Sequence, residues 1–203
     1  MTILEERLLE TARPATPEQA ARRAMIDSQL RVSGVNDPAV LAAFAAVARE
    51  DFVPAGLKAN AYIDRALPLD DGHMLPAPLV HGRILSEAAP RAEDAVLVVS
   101  ANGYLAALVA TFGCTVTQAS PADAAKKGAV ANLILIDGAI EQLPAGLAAR
   151  LAEGGRIVTG LMERGVSRLA AGTKIGGEVS LLPLAEIGIP ALPEFAAPRR
   201  WSF

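Results

Sequence analysis

The sequence predicts an α/β fold built around a parallel sheet. From residue 94 onward, short runs rich in Val, Ile and Leu alternate with helical segments, which is typical of parallel strands covered on both faces. Hydrophobic residues make up 52% of the chain, and aromatic residues only 4%. A chain of 203 residues is long enough to bury a proper core. We therefore expect one compact α/β unit with a helical arm at its N-terminal side.

Residues 1–90 are predicted to form this arm and an irregular turn region. Thr16-Pro17-Glu18-Gln19 is a capping box with proline at the first helical position, so a helix is expected from Pro17 to about residue 31. Asn36-Asp37-Pro38 predicts the start of a second helix, and residues 79–89 fit a third. Residues 61–78 contain too many prolines and glycines for a regular element.

Residues 91–203 are predicted to contain the sheet and a C-terminal extension. The expected strands are residues 95–99, 115–118, 133–136 and 156–159. The expected helices are residues 104–112, 122–127 and 144–152. After Gly160, Gly176-Gly177 and Pro183 predict the turns of an antiparallel hairpin.

Composition argues against several classes of protein. A net charge of −3 and a pI near 5.5 give no electrostatic reason to expect a nucleic-acid partner. No apolar stretch approaches the ~20 residues that span a bilayer, so we expect no membrane association. Glu5, Glu6 and Glu10 have the wrong charge for a signal peptide, and we expect a cytoplasmic protein.

Cysteine and histidine are scarce. The single Cys114 excludes internal disulfides, and its place at a strand entrance favours a small core thiol over a nucleophile. The two histidines and one cysteine show no metal-ligand spacing, so no metal site is expected. His81 falls within a predicted helix and is interpreted as a packed or surface residue.

The turn after the first predicted strand has the position of a nucleotide-type cofactor site. The apolar residues 96–99 lead into a tight turn and then into the predicted helix 104–112. Glycines normally let the backbone approach the ligand at such a turn, but here only Gly103 is present. The sequence therefore predicts the scaffold of a binding site without its usual glycine loop.

Together these segments resemble the protein-L-isoaspartate O-methyltransferase family, in unbroken order over residues 20–169. The helical arm carries the most specific part of the resemblance. The matching stretches are Met25-Ile26-Asp27-Ser28-Gln29-Leu30, Gly34-Val35-Asn36-Asp37, Val40-Leu41, Val47-Ala48-Arg49-Glu50-Asp51-Phe52-Val53-Pro54, Ala61-Tyr62-Ile63-Asp64, Ala66-Leu67-Pro68-Leu69, the turn 72–78, Val96-Leu97, Gly103-Tyr104 and Leu151-Ala152-Glu153-Gly154-Gly155-Arg156-Ile157-Val158. The resemblance implies a Rossmann-like class I methyltransferase sheet. It also implies repair methylation of isoaspartyl residues in a protein or peptide by S-adenosylmethionine (AdoMet).

The substrate-side turn departs from the family pattern. Family members carry a Gly-Gln-Thr-Ile-Ser-Gln-Pro-like turn whose serine hydroxyl lies beside the reacting carboxylate, but here the turn reads Gly72-His73-Met74-Leu75-Pro76-Ala77-Pro78. Pro76 takes the serine position and has neither a hydroxyl nor a backbone donor. No residue is therefore assigned a confident catalytic role. His73 and Asp137 are the polar residues expected nearest a substrate carboxylate, with a solvated turn residue and a strand-ending turn as the respective alternatives.

The cofactor side departs as well. The usual Glu-Ile-Gly-Thr-Gly-Ser-Gly-Tyr becomes Val98-Val99-Ser100-Ala101-Asn102-Gly103-Tyr104, one residue shorter, with Val98 in place of a carboxylate. Ser120 aligns with the acidic residue that would hold the ribose hydroxyls, and a hydroxyl does not replace a bidentate carboxylate. By resemblance, the weak candidates for cofactor contact are Ser100, Asn102, Gly103, Tyr104 and Ser120.

A larger loss lies between the second and third predicted strands. Residues 119–131 barely make one parallel crossover, whereas the family has a helix, a further strand and a Gly-Asp-Gly-type turn beside the adenine. We therefore expect a shortened sheet that lacks one edge strand. The bare edge at residues 115–118 favours a homodimer, although Lys126-Lys127 could instead protect it as a monomer.

These losses predict weak or absent catalysis and no tight binding of AdoMet. The alternative hypothesis is a noncatalytic binding or assembly module on a methyltransferase scaffold. Asp70-Asp71 precedes Gly72 and is interpreted as a pair of turn-forming residues rather than an acid/base pair. Arg199-Arg200-Trp201 is interpreted as a frayed chain end rather than a docking peptide.

Overall fold

The computed structural model describes residues 15–198 of the chain. The acidic residues near the start and the Arg199-Arg200-Trp201 motif lie outside these residues. Helix α1 spans Pro17–Met25, and the predicted capping box is present: the Thr16 hydroxyl accepts from the Gln19 N–H while the Gln19 side chain accepts from the Thr16 N–H. A π-helical turn, Ile26–Leu30, and a 3₁₀ turn, Arg31–Ser33, continue this segment.

Two further α-helices follow in the described part of the arm. Helix α2 (Pro38–Ala46) is capped by the Asp37 carboxylate, and helix α3 spans Pro78–Ala88. Between them lie the 3₁₀ helices Arg49–Phe52 and Ala55–Asn60 and a small antiparallel pair, β1 (Leu67–Pro68) and β2 (Met74–Leu75). The predicted irregular region is thus confirmed apart from this short pair, which frames the substrate-side turn.

Residues 15–198 form a main sheet of six strands: β3 (Ala95–Val99), β4 (Thr115–Ala119), β5 (Ala131–Ile140), β6 (Leu151–Glu163), β7 (Val166–Ile175) and β8 (Glu178–Glu186). Their order across the sheet is β4-β3-β5-β6-β7-β8. Strands β3 to β6 are parallel, β7 is antiparallel to β6, and β8 is antiparallel to β7. This arrangement confirms the predicted α/β class with an antiparallel C-terminal hairpin. Helix α4 (Tyr104–Ala110) lies between β3 and β4 in the chain, and helix α5 (Ala145–Ala148) lies between β5 and β6.

Three local predictions were wrong. The helix expected at 122–127 is only the 3₁₀ turn Pro121–Asp123. The buried Arg150 guanidinium donates hydrogen bonds to the carbonyls of Ala124 and Ala129, and a helix would use the first of these for its own backbone. The helix expected at 144–152 is reduced to α5, since the chain already enters β6 at Leu151. Pro183 lies within β8 beside a register shift instead of forming a turn.

The two faces of the sheet are covered differently. Helices α2, α3 and α4 pack on the face that contains Val96, Val98, Leu133 and Leu135. The opposite face, with Leu97, Val99, Ile134 and Ile136, is covered by the short helix α5 and by the C-terminal residues Leu192 and Phe195. No helix in residues 15–198 is both long enough and apolar enough to cross a membrane.

Candidate functional site

The order in which successive strands are added to the sheet changes direction at β3. The chain leaves β3 for β4 on one side and returns to β5 on the other, which makes the carboxyl ends of β3 and β5 the switch point where open α/β sheets bind ligands. Ser100 follows β3, and Asp137 lies in β5. The Ser100 hydroxyl donates to Asp137 Oδ2 over 2.9 Å, and both residues are buried. The two strand ends are therefore joined by their own side chains.

A buried polar chain continues from Asp137 into the arm. His81 Nε2 lies 2.8 Å from Asp137 Oδ1, and His81 Nδ1 lies 3.4 Å from an Arg49 Nη atom. The Arg49 guanidinium also donates to the carbonyls of Ala61 and Pro76, each over 2.7 Å. Burial lowers the pKa of Arg49, opposed by nearby Tyr104 and Asp137. We call Ser100, Asp137, His81 and Arg49 the buried polar chain. It connects residues 100–104, which we call the cofactor turn, to the sheet and to the substrate-side turn 72–78.

The Tyr104 ring is enclosed by this chain and by aromatic residues. Arg49 lies over the ring face at 5.0 Å from its centroid, and the rings of His81 and Phe52 lie at 5.2 and 5.4 Å. Tyr104 is fully buried, and burial raises the pKa of its hydroxyl. This predicted cofactor residue therefore has its side chain in the core.

The remaining groups of the cofactor turn are bound within the protein. The Asn102 amide donates to the Phe52 carbonyl over 3.1 Å, and its oxygen accepts from the Tyr104 N–H over 3.1 Å. Gly103 has a φ of +83°, and a Cβ there would lie 3.1 Å from the Gln118 side-chain oxygen. The turn requires glycine at this position for its backbone conformation.

The other predicted site residues are placed apart from this chain. The Ser120 hydroxyl accepts from the Asp123 N–H over 3.2 Å and caps a 3₁₀ turn. His73 lies 3.0 Å from Asp71 and 2.8 Å from Glu194. Partial burial lowers the pKa of His73, but these two carboxylates outweigh it and raise the pKa overall. Thus His73 and Asp137, predicted to serve one substrate carboxylate, have different partners.

Pro76, Asp71 and Cys114 are placed where their contacts are structural. Pro76 is buried, and its carbonyl accepts from Arg49, so the family's serine position anchors the turn. Asp71 accepts from the His73 N–H over 3.0 Å, as turn chemistry predicts. Cys114 is half-buried, and burial raises the pKa of its thiol. Within residues 15–198, His, Cys, Asp and Glu side chains form no group of three that could hold a metal ion.

Sequence reasoning missed Arg49 as a site residue and missed the partner of His81. A signal was present in both cases. The sequence signal for Arg49 is its place within the matching stretch 47–54. The structure adds that Arg49 is fully buried, and a buried guanidinium needs several acceptors. His81 was interpreted as packed or exposed; it is fully buried among the apolar residues of α3, where an ionisable ring requires a polar partner.

Comparisons with known proteins agree with the resemblance. The model of the family "Protein-L-isoaspartate(D-aspartate) O-methyltransferase" matches residues 20–122. A protein-L-isoaspartate O-methyltransferase of Methylorubrum populi is 32% identical over 201 residues, which covers 81% of this chain and 95% of that protein. One of Methanoculleus marisnigri is 28% identical and covers 89% of this chain and 96% of that protein.

Solved structures agree with the fold. A chain named as a protein-L-isoaspartate O-methyltransferase of Plasmodium falciparum, in complex with S-adenosyl-L-homocysteine, has a TM-score of 0.66 at 16% identity. The match covers 89% of this chain and 100% of that one. At such low identity this likeness concerns the fold alone. The family model and the Methylorubrum relative together show that the chain belongs to the protein-L-isoaspartate O-methyltransferase family.

Proposed function

We propose that this member of the protein-L-isoaspartate O-methyltransferase family has weak or no AdoMet-dependent methylation of isoaspartyl residues. The observation that carries the proposal is the Ser100–Asp137 hydrogen bond at the switch point. Because Asp137 is also bound to His81, both of its carboxylate oxygens already have partners within the protein. We also expect a cytoplasmic location, since a single free cysteine is typical of a reducing compartment.

The residues at the switch point do not fit AdoMet. The Ser100 and Asn102 side chains are bonded within the turn, and Gln118 lies against Gly103. Leu192 and Phe195 pack on the carboxyl-terminal half of β5, with Val99 and Ile136 in the same cluster. A bound cofactor would have to displace these groups, and each lost hydrogen bond to a buried group costs about 1–3 kcal/mol.

We expect no tight binding of AdoMet or S-adenosylhomocysteine. Loss of two such hydrogen bonds corresponds to ~100-fold or more in affinity. Isothermal titration calorimetry of the full chain with each ligand is the measurement. A dissociation constant in the micromolar range for either ligand would overturn the proposal.

We also expect negligible methylation of an isoaspartyl peptide, because Pro76 and Met74 offer no hydroxyl to orient the acceptor. Incorporation of a radiolabelled methyl group is measured against a blank without enzyme. Incorporation that rises with enzyme concentration contradicts the expectation. In that event His73→Ala and Asn102→Ala should each reduce the rate, and insensitivity to both would show that the site lies elsewhere.

A second candidate function is a noncatalytic binding or assembly module, and the edge strand β4 favours it. Within residues 15–198, β4 pairs only with β3, and Thr115, Thr117 and Gln118 are exposed. An uncovered strand edge presents unpaired backbone donors and acceptors to other chains. Lys126, ion-paired to Asp123 in the adjacent crossover, is the charge that could oppose such pairing.

We expect the edge to produce a homodimer. Multi-angle light scattering across a dilution series should give about twice the 21.0 kDa chain mass at high protein concentration. Gln118→Pro removes a backbone donor that points away from β3, because the alternate residues Thr115 and Ala119 make the hydrogen bonds to the β3 side. The exposed Thr115→Lys is a milder test on the same strand. A mass near 21.0 kDa at every concentration would refute the dimer.

A further inference from the structure

The C-terminal segment 189–197 runs beside the carboxyl end of β5. The Ala139 N–H donates to the Pro190 carbonyl over 2.7 Å, and the Leu192 N–H donates to the Ala139 carbonyl over 2.8 Å. These bonds form a short parallel bridge between Ala139 and Ala191. The Glu141 and Gln142 N–H groups then donate to the Phe195 carbonyl. We call residues 189–197 the C-terminal cover.

Apolar side chains hold the cover against the sheet. Leu192 and Phe195 are 5% and 1% exposed and belong to the cluster that contains Val99 and Ile136. Leu192 lies directly over Gly138, where a Cβ would come within 2.5 Å of Leu192 Cγ. The 3₁₀ turn Pro193–Phe195 also contacts the 3₁₀ turn Pro121–Asp123 of the shortened crossover. The cover therefore spans the sheet face between β5 and the end of β4.

A polar contact joins the cover to the substrate-side turn. His73 Nε2 lies 2.8 Å from Glu194 Oε1, and His73 Nδ1 lies 3.0 Å from Asp71. The Glu194 side chain is 27% exposed, so this contact lies at the rim and not in the core. Ion pairs near the surface contribute little to stability, so the contact fixes the position of the cover more than it stabilises the fold.

We propose that the C-terminal cover is a displaceable internal occupant of the ligand crevice, so that S-adenosyl ligands are excluded by this segment as well as by the altered turn. The inference rests on the proposed function, because it supplies one physical cause for the expected lack of tight binding. Leu192 lies over Gly138 and bonds to Ala139, just beyond the last β3–β5 pair, Val99 and Ile136, at the switch point where open sheets bind ligands. Local opening of a terminal segment requires less free energy than global unfolding.

The test introduces a charge under the cover. Leu192→Asp places a carboxylate in the apolar cluster, whereas Ala191→Asp places the same charge one residue away on an exposed position and is the matched control. Hydrogen exchange measured by mass spectrometry on peptides containing 137–142 and 189–197 reports opening. Calorimetry with S-adenosylhomocysteine on the same proteins reports access to the crevice. Leu192→Ala is the milder variant if the aspartate prevents folding.

We expect Leu192→Asp to accelerate exchange in both peptides at least tenfold and to lower the dissociation constant of S-adenosylhomocysteine at least tenfold, with Ala191→Asp matching the unmodified chain. Faster exchange without a gain in binding would overturn the inference and leave the proposed function standing. Unchanged exchange would show that Leu192 does not hold the cover, which also overturns it. Micromolar binding by the unmodified chain, improved further by Leu192→Asp, would overturn the proposed function and support the cover.

Discussion

Replacing Arg49 with methionine is expected to lower the free energy of unfolding by about 3–5 kcal/mol, the usual cost of removing one partner from a buried charged network. Arg49 is fully buried, and its loss leaves the carbonyls of Ala61 and Pro76 without their donor. His81 also loses its contact with the guanidinium, and Asp137 loses a nearby positive charge. Chemical denaturation of the full chain, monitored by circular dichroism, is the measurement.

The matched control for this variant is Arg65→Met, which makes the same change at an exposed position of the arm. It should alter the free energy of unfolding by no more than about 0.5 kcal/mol. The double variant Arg49→Met/Asp137→Asn should lose less than the sum of the two single variants, because the residues belong to one network. A loss below about 1 kcal/mol for Arg49→Met would show that the buried polar chain does not stabilise the fold.

Replacing Gly146 with alanine is expected to cost about 1–3 kcal/mol, the usual range for overpacking in a tightly packed contact. An added Cβ at Gly146 in α5 would overlap the carbonyl oxygen of Ala125 in the shortened crossover. The positions of the Cβ and of the carbonyl oxygen are both fixed by the backbone, so no side-chain rotation can relieve the overlap. The thermal unfolding midpoint should fall by about 2–4 °C for each kcal/mol lost in a chain of this size, which scanning calorimetry measures.

Gly56→Ala is the control, because Gly56 also lies in a short helical segment but has no atom within 4 Å of an added Cβ. Its midpoint should stay the same or rise, since alanine reduces the entropy of the unfolded chain. Equal midpoints for the two variants would mean that the crossover moves freely away from α5.

The sequence predicts the fold well where a local signal coincides with the tertiary contacts. The Thr16 capping box and the Asp37 cap begin helices α1 and α2 as expected, because both signals act within four residues. Strand β3 has its predicted bounds, because its apolar run is buried on both faces. The sheet edge at β4 also follows from the sequence, since the chain is too short there to form another strand before β5.

The rest depends on contacts between residues far apart in the chain. Periodicity gives no sign that Arg49, His81 and Asp137 meet, because each comes from a different element. The crossover at 122–127 has helix-forming composition, but the Arg150 side chain donates a hydrogen bond to the Ala124 carbonyl, and only a 3₁₀ turn forms. The position of Leu192 over Gly138 likewise depends on the backbone of β5 continuing past the switch point.

The meander β6-β7-β8 has a consequence for the order of folding. Its strands are consecutive in sequence and are joined by tight turns at Arg164-Gly165 and Gly176-Gly177, so each hairpin closes a short loop. By contrast, Val96 of β3 must find Leu133 of β5 across the whole of α4, β4 and the crossover. Loop-closure entropy opposes such distant pairing until other contacts compensate. The C-terminal meander is therefore the part of the sheet expected to form first, and the ligand-side strands β3 and β4 join it later.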